Sequence, residues 1–179
     1  MRKVVYKGFF VWNFEKEEKW LNEMAAKGFA LISVGPFRYE FEDSLPDEYE
    51  VRLELLKKSV DNPESESYIR FVEETGAEYI GTFNRWVYFR KKTKEGSFEL
   101  YSDNSSKIKQ IERIIGSILF IVLLNIFFGA ENIYFMLSLD SAINAMGFIN
   151  LFLGAFGLIG IIRLWKKKKK LERDKDIYM

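Results

Sequence analysis

The sequence predicts an α+β fold: two β-α-β-β repeats forming an antiparallel sheet with helices on one face, then a C-terminal two-helix transmembrane hairpin. Three observations lead there. A glycine followed by two alternating segments occurs twice, in "KGFALISVGPFRYEFE" (27–42) and "TGAEYIGTFNRWVYFR" (75–90). Two long apolar runs without charge lie near the end of the chain. Charge is unevenly divided: residues 1–103 hold 16 Lys and Arg against 20 Asp and Glu, and residues 104–179 hold 11 against 6. A mildly acidic head and a basic, apolar tail are built for different surroundings.

The first repeat, about 2–44, opens with "RKVVYKGFFVW", whose Val and aromatic content favours a strand. Asn13 stands where an N-cap belongs. Glu15, Glu17 and Glu18 follow in the first turns, where negative charge suits the helix dipole. Trp20, Leu21, Met24 and Ala25 form an apolar stripe at helical spacing. Gly28 sits at the C-terminal cap, where a positive φ costs it nothing. "FALISV", a "GP" turn and "FRYEFE" complete the repeat, with Phe37, Tyr39 and Phe41 on one face and Arg38, Glu40 and Glu42 on the other.

The second repeat, about 48–93, has the same order. "YEVRLEL" alternates, Asn62-Pro63-Glu64 starts a helix with proline at its first position, and Tyr68, Ile69 and Val72 supply the stripe. Gly76 stops the helix. "EYIGTF" and "WVYFRKK" form a hairpin turning at Asn84-Arg85, and "FELYS" reads as a further short strand. An offset of 48 residues sets Gly76 on Gly28, Tyr68 on Trp20 and Phe89 on Phe41, which points to an internal duplication.

Residues 1–103 thus form the α+β domain and 104–113 a juxtamembrane linker or helix. The hairpin occupies 114–165, with spans about 112–130 and 146–165, and 166–179 is a basic tail. Each uncharged run, Ile114 to Ala130 and Met146 to Ile162, nearly crosses a hydrocarbon core of roughly 30 Å at about 1.5 Å per residue. Lys107, Lys109 and Arg113 precede the first span. Arg163, Lys166, Lys167, Lys168, Lys169 and Lys170 follow the second, with Trp165 at the interface. The intervening "ENIYFMLSLDSAINA" reads as a loop, with Glu131 and Asp140 but no basic residue. The positive-inside rule then places both termini in the cytoplasm of a multi-pass protein of the inner or plasma membrane. The lipid bilayer and its anionic headgroups are the expected partners of these cations, and nucleic acid is not. Gly154, Gly157 and Gly160 give the second span a flat face for close helix approach, to the first span or across a homodimer. "MRKVVYKGFF" lacks the apolar core and cleavage site of a signal peptide.

The strings "FFVWNFEKEEKWLNEMAAKGFAL", "FRYEF", "YEVRLEL", "GAEYIGTFNRWVYFRK" and "ELYSDNSSKI" resemble the bacterial membrane proteins grouped as domain-of-unknown-function family 2812. The resemblance covers about residues 5–110. It implies a cytoplasmic domain anchored by C-terminal helices, in a regulatory or stress-response setting near regulators of the PadR type. It supplies no catalytic residue. Phe29 stands where the family often has Trp. The doubled β-α-β-β order is also similar to gyrase-inhibitor-like domains, which bind apolar or cationic ligands between two such units, an analogy of fold alone.

The chain has no Cys and no His. Disulfides, thiol nucleophiles and the commonest zinc ligands are therefore excluded, along with the usual general base. Glu15, Glu17, Glu18 and Glu23 read as a solvated helix face, with Glu15 and Lys19 at i,i+4. Ser102, Ser105 and Ser106 have no base to activate them and read as a joint or helix cap. No catalytic residue, metal site or cofactor is expected, and the chain is not expected to be an enzyme. Trp86 and Tyr88 share one face of the last strand while Val87 and Phe89 share the other, so either a second layer covers that strand or an aromatic patch stays open. Trp86, Tyr88, Tyr39, Glu40 and Glu54 are the candidate ligand- or partner-binding residues. The expected function is a membrane-anchored cytoplasmic binding or sensory module of regulatory type, taking a small apolar or cationic ligand or a regulatory protein. The alternative is an integral component of a transporter, envelope-stress or immunity system in which the hairpin carries the role.

Overall fold

A computed structural model describes residues 2–101, 103–139 and 146–177. It divides into two compact units, residues 1–102 and 103–179.

The first unit is α+β. Its elements run β1 (Arg2–Tyr6), α1 (Phe14–Ala25), β2 (Phe29–Gly35), β3 (Arg38–Asp43), β4 (Tyr49–Leu55), α2 (Pro63–Glu74), β5 (Glu78–Phe83) and β6 (Trp86–Lys92). The strands form two three-stranded antiparallel sheets, ordered β1-β3-β2 and β4-β6-β5. In each, the hairpin's second strand lies in the middle. The register shifts between Leu31 and Ser33 in β2 and between Tyr79 and Gly81 in β5, 48 residues on.

Both helices stop at glycines in the left-handed region, Gly28 at φ 80° and Gly76 at φ 90°. At Gly28 a side chain is excluded twice over: a Cβ would also lie 2.9 Å from the Ser44 carbonyl oxygen. Asn62 caps α2, its side chain accepting from the Glu64 N–H at 3.1 Å, and Pro63 fills the first position. Asn13 makes no such bond. The chain enters α1 through a 3-10 turn, Val11–Asn13, which satisfies the Asn13 N–H on the Phe10 carbonyl. That turn and the irregular segment 7–10 shorten the first strand to Arg2–Tyr6. Residues 98–101 of "FELYS" form no strand. Phe98 instead drops into the core under α2 with Leu56, Ile69, Val72, Ala77, Val87 and Phe89.

α1 serves both sheets. It packs on β2 and β4, and its buried residues are Phe14, Glu17, Leu21, Met24 and Ala25. Trp20 meets Tyr39 and Phe41 of β3, at ring-centroid distances of 5.0 and 5.9 Å, and Phe14 meets Trp86 of β6 at 5.6 Å. The second sheet therefore has α1 on one face and α2 on the other. This second layer explains why Trp86, Val87, Tyr88 and Phe89 are all buried.

The second unit is a helical hairpin, α3 (Asn104–Leu139) and α4 (Met146–Ile177). Both helices are long and apolar enough to cross a membrane. At about 1.5 Å per residue they measure roughly 54 and 48 Å, longer than a hydrocarbon core. Residues 104–113 are the first turns of α3, and 131–139, expected in a loop, continue it. The basic tail continues α4 to Ile177. Nothing interrupts these helices, because neither contains proline. The expected loop residue Asp140 and the candidate Ser102 lie outside the described residues. α3 opens on an Asx cap: Asp103 accepts from the Ser106 N–H at 2.8 Å and from the Ser105 and Ser106 hydroxyls. The bond from Ser105, then that from the Ser106 backbone, hold its pKa down to about 2.

The helices meet along Ile111, Ile114, Ile118 and Val122 of α3 and a small-residue face of α4. A Cβ on Gly154 would lie 2.9 Å from the Ile126 side chain, and one on Gly157 would run into Val122. The outward surface is apolar and uncovered, with Phe120, Phe127 and Phe152 all exposed.

Gly28→Ala is expected to destabilise the head by about 1–3 kcal/mol, from the combined φ strain and clash. Gly35→Ala, with open space around the added methyl, should stay within about 0.5 kcal/mol. Denaturant unfolding of the head, followed by circular dichroism, measures both. Equal effects would remove the structural reason for Gly28.

Candidate functional site

The centre of the head is a carboxylate where a surface helix would be expected to show one to water. Glu17 lies in the first turns of α1 and is only 9% exposed. Tyr39 of β3 donates its hydroxyl to Glu17 Oε1 at 2.7 Å, and Tyr88 of β6 donates to the same oxygen at 2.6 Å. One residue from each sheet thus meets one residue of the shared helix. Burial raises the Glu17 pKa, while the bonds from Tyr88 and then Tyr39 lower it. Both tyrosines are pushed well above their ordinary value, by burial first and then by the Glu17 charge. They therefore remain protonated donors at any physiological pH. Among the described residues no cation shares this carboxylate.

Outward from Glu17 the lining becomes aromatic. Trp20 lies edge-on to Tyr39, and Phe9 completes a three-ring group, 5.6 Å from Trp20 and 6.5 Å from Tyr39. Lys7 places its ammonium 4.5 Å from the Trp20 ring and 5.2 Å from the Phe9 ring.

A second set of α1 side chains closes the free edge of β4. Asn22 accepts from the Val51 N–H at 2.8 Å and donates to the Val51 carbonyl at 3.0 Å. Glu18 accepts from the Leu53 N–H at 3.2 Å and lies 3.7 Å from Arg52. Burial raises the Glu18 pKa, offset by Arg52. Arg52 also pairs with Glu50 and with Glu99 at 3.5 Å. A shallow, polar groove of about 570 Å³ runs over these residues and Asp47, Tyr49 and Thr93.

The expected site residues divide into three places. Tyr39, Tyr88 and Trp86 face α1, the two tyrosines sharing Glu17. Glu54 faces the other way, on the α2 side of its sheet, where Tyr68 donates to it. Glu40 lies on the outer face of β3, paired with Arg38. Strand alternation separates both acids from the aromatic face: Glu40 follows inward Tyr39, and Glu54 lies between inward Leu53 and Leu55. Of the two readings of the last strand, the covered one holds, with Trp86 9% and Tyr88 4% exposed. The solvated helix face is corrected at Glu17 and Glu18. The acid that matters, Glu17, was missed. Its signal was present: four positions before Leu21 and seven before Met24, it belongs to the apolar stripe.

At the other unit, Trp165 carries the Lys169 ammonium 3.8 Å from its ring, and Lys168 pairs with Glu112 at 2.6 Å and with Glu172 at 3.6 Å. Among the described residues no group of three acidic side chains is placed to hold a metal ion.

The sequence profile of the family described as "Protein of unknown function (DUF2812)" matches residues 13–124, more than half of the chain. The chain belongs to this family. The DUF2812 match runs from the start of α1 through β6 and into the first apolar helix, so it includes Glu17, Tyr39 and Tyr88. No curated protein and no solved structure matches the chain.

Glu17 makes stability depend on pH with a definite sign. Its folded pKa is raised above the ordinary 4.5, so the folded state holds this proton more tightly than the unfolded chain. The stability it contributes is complete below the unfolded value and lost as pH rises through the raised folded value. The melting-temperature difference, wild type minus Glu17→Gln, should therefore fall as pH rises from about 4 to 8. Tyr88→Phe removes a bond worth about 1.5–3 kcal/mol and should move that fall to higher pH. A flat difference would show that Glu17 ionises as freely as in the unfolded chain.

Proposed function

We propose that this chain is a membrane-anchored binding module of regulatory type rather than an enzyme. Its head takes a small apolar or cationic molecule, and its hairpin holds that event at the cytoplasmic face of the inner or plasma membrane. The observation that carries the proposal is Glu17: a carboxylate buried at the meeting of two sheets, met by hydroxyls and not by a cation. Two hydroxyls offset only part of the cost of burying a carboxylate, and a positively charged ligand is a partner that offsets the rest.

The anchoring half of the proposal is supported by the hairpin surface. Only 22% and 28% of the apolar windows of α3 and α4 are buried, where a core helix of a water-soluble protein would be mostly covered. Lys107, Lys109 and Arg113 at one end, with Arg163 and the five lysines at the other, favour a cytoplasmic side for both helix ends. The same exposed surface also favours a second reading, in which the hairpin assembles with other membrane proteins of a transport, envelope-stress or immunity system.

The test uses the full chain in a non-ionic detergent. Tetraphenylphosphonium should raise the melting temperature of the wild type and leave Glu17→Gln unchanged, while neutral triphenylmethanol should leave both unchanged. The same response after exchange of both spans for an unrelated hairpin places binding in the head. Loss of the response on exchange favours the hairpin reading. No response to any amphipathic cation would remove the binding proposal. Recovery of the full chain in the soluble fraction without detergent would remove the anchor.

A further inference from the structure

We infer that Phe9 and Trp20 form an aromatic cage for an organic ammonium ion, and that Lys7 is the built-in occupant which such a ligand displaces. This rests on the proposed binding role of the head and names where and how a cation enters.

A lysine ammonium is strongly hydrated and gains by remaining in water unless something replaces that water. Lys7 is an exposed residue, yet its ammonium rests 4.5 Å from the Trp20 ring and 5.2 Å from that of Phe9. Among the described residues no carboxylate pairs with it, so the ring faces are what hold the charge. The two rings are tilted at 41° with centroids 5.6 Å apart, which opens a wedge between their faces. Negative ring faces within about 6 Å are what an ammonium ion needs. A ligand with methyl groups on nitrogen is less hydrated than Lys7 and fits the same wedge at lower desolvation cost.

The position is also that of a gate. Residues 7–10 have no regular structure and run over α1 between β1 and the 3-10 turn. The segment is tied at its start, where the Lys7 N–H donates to the Phe37 carbonyl at 2.9 Å and Gly8 lies against the Phe37 ring, so the part free to move is the Lys7 side chain. Behind the wedge, Tyr39 lies edge-on to both rings and carries its hydroxyl to Glu17. Moving Lys7 aside therefore exposes an aromatic path that leads towards the buried carboxylate. A ligand with one ammonium and an apolar body can put the charge in the wedge first. Lys7 acts as a competitor that sets a threshold concentration.

The experiment is titration calorimetry of the full chain in non-ionic detergent with choline, and with 3,3-dimethyl-1-butanol, its neutral carbon isostere. Wild type should bind choline weakly. Lys7→Met, an exposed change that leaves the fold in place, should bind it about five- to tenfold more tightly. Trp20→Leu in the Lys7→Met background should lose binding, as should the milder Phe9→Leu, and the isostere should not bind any of them. Equal binding of choline and isostere would reduce the wedge to a greasy groove and overturn the inference. So would unchanged affinity in Lys7→Met, or no binding to it. If choline fails while tetraphenylphosphonium still shifts the wild type through Glu17, the cage is wrong and the binding module stands. If both fail, both are wrong.

Discussion

Taking a carboxylate out of water is costly unless donors replace the water, and Glu17 imposes that requirement on the head. Its donors come from strands. Tyr39 reaches it from β3 and Tyr88 from β6, in two different sheets. The two sheets are not joined by a backbone ladder. β2 and β5 lie against each other, and one helix and one acceptor oxygen tie the sheets across their inner faces. Arg90 adds a second tie of the same kind, donating from β6 to the Leu31 carbonyl of β2 at 2.9 Å and to Glu42 of β3 at 3.2 Å. Polar bonds are directional where apolar contact is not, so these groups fix how the sheets register as well as holding them together.

Much of the backbone was legible because a few residues leave the chain little choice. Gly28 and Gly76 end helices where a Cβ is forbidden, and Asn62-Pro63 starts one where a missing N–H does no harm. Alternation named Tyr39 and Phe41 of β3 and Val51, Leu53 and Leu55 of β4 correctly as inward, but not Phe37, which lies in the turn before β3 at φ 56° and is exposed. The candidate site was less legible for a related reason. Periodicity tells which face a residue is on, but charge was allowed to overrule it at Glu17. Tyr88 lies 71 residues from Glu17 in the chain, and no local pattern announces that pairing. The one apolar face on β6 too many was informative, since it required a second helix layer. Glu40 and Glu54 do not join the aromatic face, because alternation turns each to the other side of its strand, towards Arg38 and Tyr68.

The hairpin was legible in its apolar runs and less so at its ends. Windows of uncharged residues mark where lipid would begin and stop, whereas a helix ends only where its hydrogen-bond ladder is broken or capped. With no proline and a strong Asx cap at Asp103, α3 begins before its apolar run and outlasts it. Membership of DUF2812 extends the description of the head into the first of these helices, so the family treats the two as continuous sequence.

Asn22 gives the head an uncommon kind of finish. Its side-chain amide has one acceptor and one donor, as a peptide group does, and it spends both on Val51 at the border of β4. A strand from another molecule would need those same two groups to begin zipping on. The helix has already answered them, so this border cannot serve as a template for fibril-like growth, and the chain achieves that without placing a further strand there.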